Sequence, residues 1–209
     1  MRPDNPYRIS KARGEKAVTA CGEETGLAVV IARISATIGR GARNWIRMCR
    51  SIDNGDFRMI GSGRNRMHLA DVGDIADGLV RCADAPGVEG RSYNLAGARP
   101  VTMGELAATL FAALGTTPNK RPWPALPFRV TRQVDLALTR FLGLRLRRLH
   151  SYDLFLGERW FDISRARVDL GYEPRGSIEE SVREMVEGYR RDGLLDGASA
   201  IGSRTPQPD

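Results

Sequence analysis

Tyr7 and Lys11 are the residues of this chain best placed to do chemistry. They stand four apart in Asn5-Pro6-Tyr7-Arg8-Ile9-Ser10-Lys11, which puts both on one face of a helix. An ammonium beside a phenol stabilises the phenolate and lowers its pKa, so Tyr7 is a candidate for exchanging a proton with a bound molecule. The helix is well specified. Asn5 suits an N-cap, Pro6 suits the first helical position because its missing N–H has no partner there anyway, and no further proline occurs before Glu24. On spacing alone, a pair of this kind also occurs on the outer face of many helices with no chemistry attached.

The 209 residues are 42% apolar and 27% charged, an ordinary globular balance that can bury a sizeable core. Cys21, Cys49 and Cys82 are odd in number and widely spaced, with His68 and His150 the only histidines. That pattern predicts neither a disulfide framework nor a metal site, and it fits a reducing, cytoplasmic setting. No stretch has the roughly 18 consecutive apolar residues of a membrane span.

The net charge of +7 is concentrated between Lys120 and Arg148, where Asp135 is the single acid. Leucines, phenylalanines and valines alternate there with arginines at helical spacing, which predicts an amphipathic helix with arginines on its wet face. Three uses stay open for that face: plain solvation, an anionic group on a substrate, or a lipid headgroup surface. Nucleic acid is not expected, because no recognition motif accompanies the charge.

Around these residues the pattern alternates between strand and helix. Leu27 to Ala32 reads as a strand buried on both faces, Gly39-Arg40-Gly41 as a turn, Asn44 to Ile52 as a helix, and Phe57 to Ile60 as a short extended piece. Asp74 to Ala83 follows as a helix and Ser92 to Ala96 as a strand. Thr102-x-x-Glu105 and Ser177-x-x-Glu180 are capping boxes that open helices ending near Leu114 and Arg191, and Ser164 to Leu170 is a shorter helix stopped by Gly171. This is α/β organisation.

Several blocks, taken in order, carry a resemblance. They are Tyr7-x-x-x-Lys11 with Gly14-Glu15, Gly26 to Arg33, Gly39-Arg40-Gly41, Gly61-Ser62-Gly63-Arg64-Asn65 with His68-Leu69, and Val72-Gly73-Asp74-Ile75. Further on come Tyr93-Asn94-Leu95-Ala96-Gly97 and Phe161-Asp162-Ile163-Ser164, leading to Leu170-Gly171-Tyr172-x-Pro174. The ordered set resembles the C-terminal half of the extended short-chain dehydrogenase/reductases, which include NAD-dependent sugar epimerases and dehydratases and 3β-hydroxysteroid dehydrogenase-like enzymes.

That resemblance implies an incomplete Rossmann-type parallel sheet with a mostly helical substrate-binding domain. Residues 1–41 would be the remnant of the dinucleotide-binding domain. Residues 42–195 would be the substrate domain, with about 71–97 returning to the sheet, and 196–209 a disordered tail. Tyr7 would exchange the substrate proton and Lys11 would hold the nicotinamide ribose of NAD or NADP. Ile34 and Ser35 would approach the nicotinamide, and Ala36, Arg64 and His68 would face a small-molecule substrate. The family often has Asn where Ala36 stands and Tyr where Ile38 stands, so both departures point from sugar nucleotides toward a more apolar substrate. A homodimer through the Tyr7 helix is the association the resemblance implies.

The family's Gly-x-x-Gly-x-x-Gly turn, which cradles the pyrophosphate at a helix N-terminus, has no match here. Gly61-x-Gly63 fails the spacing because Arg66 occupies the third position. Tight dinucleotide binding by these residues alone is therefore not expected. Three readings remain: an oxidoreductase or epimerase whose nucleotide loop lies outside this stretch, an inactive binding or regulatory module of the same fold, and a basic protein that associates with membrane surfaces.

Overall fold

A computed structural model describes residues 6–118, 120–142 and 153–195. The first helix, α1 (Pro6–Thr25), leads into β1 (Ile31–Ile34) and β2 (Ala36–Ile38), then α2 (Ile46–Asp53), β3 (Arg66–Met67) and β4 (Leu69–Asp71). Then come α3 (Val72–Asp84), β5 (Ser92–Leu95), β6 (Val101–Thr102), α4 (Met103–Leu114), α5 (Ala125–Leu142), α6 (Asp153–Leu156), α7 (Ser164–Leu170) and α8 (Ile178–Arg191). The chain is thus α/β, with short parallel pairings.

β1 runs parallel to β5, Ile31 opposite Ser92 through Ile34 opposite Leu95, and β2 runs parallel to β4, Ala36 opposite Leu69. The change of neighbour falls at Ser35, whose N–H still donates to the Leu95 carbonyl at 2.9 Å. Gly97 closes the junction by donating its N–H to the Leu69 carbonyl at 3.1 Å. A Cβ on Gly97 would lie 2.2 Å from that oxygen, so only glycine permits the approach.

Two cores flank these strands. In the larger one, Leu106, Leu110 and Leu114 recur every four residues along α4 and meet Val182, Met185, Val186 and Tyr189 of α8. Each fully buried leucine contributes on the order of 1.5–3 kcal/mol. The reciprocal Thr102–Glu105 capping box starts α4, and Gly115, at φ 73°, ends it in the left-handed conformation. The smaller core gathers Ile75, Cys82, Tyr93, Leu95, Ala166 and Tyr172 between α3, β5 and α7.

Side-chain ties hold the 161–177 segment across these strands. The Tyr172 hydroxyl donates to the Ala96 carbonyl at 3.0 Å, Asn94 Nδ2 donates to the Asp162 carbonyl at 2.9 Å, and the Asp74 carboxylate accepts the N–H groups of Arg175 and Gly176. Several blocks of the sequence resemblance are these ties.

Four expectations need correction. The strand expected at Leu27 to Ala32 begins four residues later, because its partner starts at Ser92; Leu27 is 64% exposed. β1 is half-buried to exposed rather than buried on both faces, since β5 is its sole pairing partner among the described residues. At α8 the Ser177 side chain accepts the Glu180 N–H, but the Glu180 carboxylate pairs with Arg183, so the second box is half made. Ile38 is fully buried in the larger core, so its apolar character reports packing and says nothing of a substrate. Asn5, His150 and the tail at 196–209 lie outside the described residues.

Candidate functional site

Two contacts fix how α1 lies along β1. Near its C-terminal end Gly22 is packed so closely that a Cβ there would meet Val29 Cγ2 at 2.8 Å. Seven residues earlier on the helix, the Glu15 carboxylate accepts from Arg33, with Nε donating at 3.1 Å. Moving toward the N-terminus of the helix therefore moves toward the C-terminal end of the strand. At about 1.5 Å per helical residue, Lys11 and Tyr7 lie roughly 6 and 12 Å beyond Glu15. Ser35 lies about 6.6 Å beyond Arg33 at strand spacing. The pair thus overhangs the carboxyl end of β1, the end at which open α/β sheets bind ligands.

Tyr7 and Lys11 do share one helix face, with Lys11 Nζ 5.7 Å from the centre of the Tyr7 ring. Tyr7 is 70% exposed, so its hydroxyl is accessible from outside. Glu15 continues the same face one turn below Lys11. The Tyr7–Lys11 spacing was visible in the sequence; the anchoring role of Glu15, one further i, i+4 step on, was the signal left unread.

At the strand end, Ile34 and Ala36 are exposed and Ser35 is buried. With its N–H given to Leu95, Ser35 has a buried Oγ that finds no partner among the described residues. His68 is also buried. Its Nδ1 accepts the Phe161 N–H at 3.1 Å, which places the ring proton on Nε2, and that atom too is buried without a partner among the described residues. Burial pushes the His68 pKa below 6.5, so the ring is neutral. Ser35 and His68 directly precede the paired residues Ala36 and Leu69, so both sit at the junction where β1 hands over to β2. Arg64 is exposed on the Gly61–Gly63 turn, its N–H on Ser62 Oγ at 3.4 Å, and the Gly63 carbonyl accepts the Gly104 N–H. That turn is tied to the start of α4 and does not itself open a helix.

A cavity of about 280 Å³ lies at the opposite end of α1, lined by Thr19, Gly22, Glu23, Leu27, Val29 and Ile31 with Glu89 and Gly90. None of the expected site residues line it. No cluster of three or more His, Cys, Asp or Glu that could hold a metal occurs among the described residues. Cys49 is buried and its thiol is pushed up to about 12 by desolvation, which leaves it inert as a nucleophile at neutral pH.

Residues 1–96, which include α1, the β1–β2 line and β5, match the family model of the NAD dependent epimerase/dehydratase family. A 2-alkyl-3-oxoalkanoate reductase of Stenotrophomonas maltophilia is 31% identical over 191 residues, 86% of this chain and 57% of the relative. The chain belongs to the extended short-chain dehydrogenase/reductase family. Among other extended short-chain dehydrogenase/reductases, a UDP-glucose 4-epimerase of Vibrio cholerae is 24% identical, matching 90% of this chain and 54% of its own length. In fold, a nucleoside-diphosphate-sugar epimerase from Pseudomonas aeruginosa superposes with a TM-score of 0.70 at 18% identity, over 92% of this chain and 57% of that one. The chain spans about half the length of the curated relatives it matches.

Proposed function

We propose that this chain supplies the proton-transfer and substrate-binding part of a nicotinamide-dependent oxidoreductase, working with a Gly-rich nucleotide loop supplied from outside these residues. One observation carries the reading: Tyr7 and Lys11 share a helix face that overhangs the carboxyl end of β1. Residues 1–41 form the nucleotide-facing part on this reading and 42–195 the substrate part.

The residues present suit the nicotinamide end of NAD or NADP and not its phosphates. Lys11 offers an exposed ammonium to the ribose hydroxyls. The buried Ser35 hydroxyl, without a partner among the described residues, and the exposed Ile34 lie at the strand end where the carboxamide would be held. The turn at Gly61–Gly63 does not lead into a helix N-terminus, so it lacks the dipole and the run of N–H groups that hold a pyrophosphate. The nicotinamide, when bound, takes or gives the hydride. Tyr7 then exchanges the hydroxyl proton of the substrate, and Lys11 orients the phenol and the ribose together.

The substrate on this reading is a secondary alcohol or its ketone. Ala36, exposed beside Ser35, offers it a methyl group and no hydrogen-bond partner, which favours an apolar substituent over a sugar. Arg64 and His68 belong to the same substrate face in the reading, Arg64 from an exposed turn and His68 through the Nε2 proton. The test is cofactor titration and turnover in a polypeptide that joins this chain to its nucleotide-binding segment. Lys11→Met should weaken cofactor binding by about tenfold or more while leaving the fold intact. Unchanged cofactor affinity in that variant would remove Lys11 from the site.

A further inference from the structure

Helix α5 turns an apolar ridge away from the rest of the protein. Leu126, Val130 and Val134 are 70%, 53% and 47% exposed and follow one another every fourth residue, so they are neighbours on one face. Trp123, just ahead of the helix, is 44% exposed, with Arg58 5.6 Å from its ring centre. Its other side faces the body: Ala125 lies over Gly61, and the half-buried Phe128 stacks on Trp123, whose N–H donates to the Met59 carbonyl and whose carbonyl accepts the Gly61 N–H, both at 2.8 Å. The amphipathic helix with wet arginines was expected, and Arg121 and Arg129 are exposed; the ridge is exposed as well.

The charge around the ridge points to what covers it. In sequence, residues 120–148 carry eight lysines and arginines against the single acid Asp135, and of these Lys120 is paired with Asp56 at 3.0 Å. Arg121 and Arg129 are exposed, Arg129 about 60° round the helix from Leu126 at 100° per residue. A second copy seated on this face would set the same cationic segment against itself. An anionic lipid surface instead offers hydrocarbon to the ridge and phosphate or carboxylate to the arginines. No helix among the described residues is long and apolar enough to cross a membrane, so the contact would lie in the interface.

We propose that α5 docks flat on an anionic membrane surface, with Leu126, Val130 and Val134 in the interface and the flanking arginines on lipid headgroups. This does not depend on the oxidoreductase reading. The experiment is vesicle flotation of the full chain with phosphatidylserine-containing and pure phosphatidylcholine vesicles at low and high salt. The protein should float with the anionic vesicles, by about tenfold over neutral ones, and salt should weaken the association. The exposed-face variant Leu126→Asn/Val130→Asn/Val134→Asn should lose about tenfold in binding with an unchanged circular dichroism spectrum, and Arg121→Glu/Arg129→Glu should lose the preference for anionic lipid. Failure of the wild-type chain to float at low salt, or undiminished binding by the triple variant, would overturn the proposal. So would self-association in the absence of lipid that the triple variant abolishes, since a second copy would then be the occupant.

Discussion

Arg33 on β1 donates through Nε to the Glu15 carboxylate of α1 at 3.1 Å, and this ion pair sets the level at which Tyr7 and Lys11 stand over the strand end. Both partners are partly exposed. The pair therefore contributes under about 1 kcal/mol to global stability, and its importance is positional. Arg33→Ala should leave the melting temperature nearly unchanged while raising amide hydrogen exchange along α1 more than along α4 or α8. Equal protection of α1 in the variant would show that other contacts hold the helix.

His68 gives a pH signature. Burial lowers its folded pKa below 6.5, and protonation would also put a proton on Nδ1, where the Phe161 N–H already donates. The unfolded chain therefore binds this proton first as pH falls. The contribution to stability is level above pH 6.5 and declines below it, toward the folded pKa. His68→Asn, whose carbonyl can still accept the Phe161 N–H, should flatten melting temperature against pH below pH 6.5 relative to wild type. A wild-type slope in that variant would exclude His68 as the titrating group.

Gly97 tests the junction of the strands. Any Cβ there would displace the Leu69 carbonyl and break the Gly97–Leu69 hydrogen bond. Gly97→Ala should cost about 1–3 kcal/mol, read as a lower denaturation midpoint. Gly87→Ala is the contrast, since nothing lies within 4 Å of its added methyl and the strain of its φ of 71° is the sole cost.

Much of this was legible from local rules. Pro6, Thr102-x-x-Glu105 and Gly115 mark helix ends because capping is decided within a few residues, and the helices begin and end there. The Tyr7–Lys11 pair was legible for the same reason: four residues on a helix fix a shared face. What local pattern could not give depends on distant partners. β1 is positioned by Ser92, some 60 residues on, so the apolar run at Leu27 overshoots it. The ordered blocks drew notice as a family pattern, yet nothing in Asn94 or Tyr172 alone reveals that Asn94 holds the Asp162 carbonyl and Tyr172 the Ala96 carbonyl. Ile38 looked like a substrate position and is core, because α8 packs on β2 and Ile38 joins the larger core there. The outward ridge of α5 was not legible, since an amphipathic pattern states that two faces differ and not which of them meets the protein.

The central claim is that the Tyr7 hydroxyl carries the transferred proton. Its most direct test is the turnover rate of Tyr7→Phe, followed by nicotinamide absorbance, in the polypeptide that joins this chain to its nucleotide-binding segment. The account predicts a fall in kcat of about 100-fold or more with the cofactor dissociation constant nearly unchanged, because the substitution removes one oxygen from an exposed side chain. A wild-type kcat in Tyr7→Phe would contradict it.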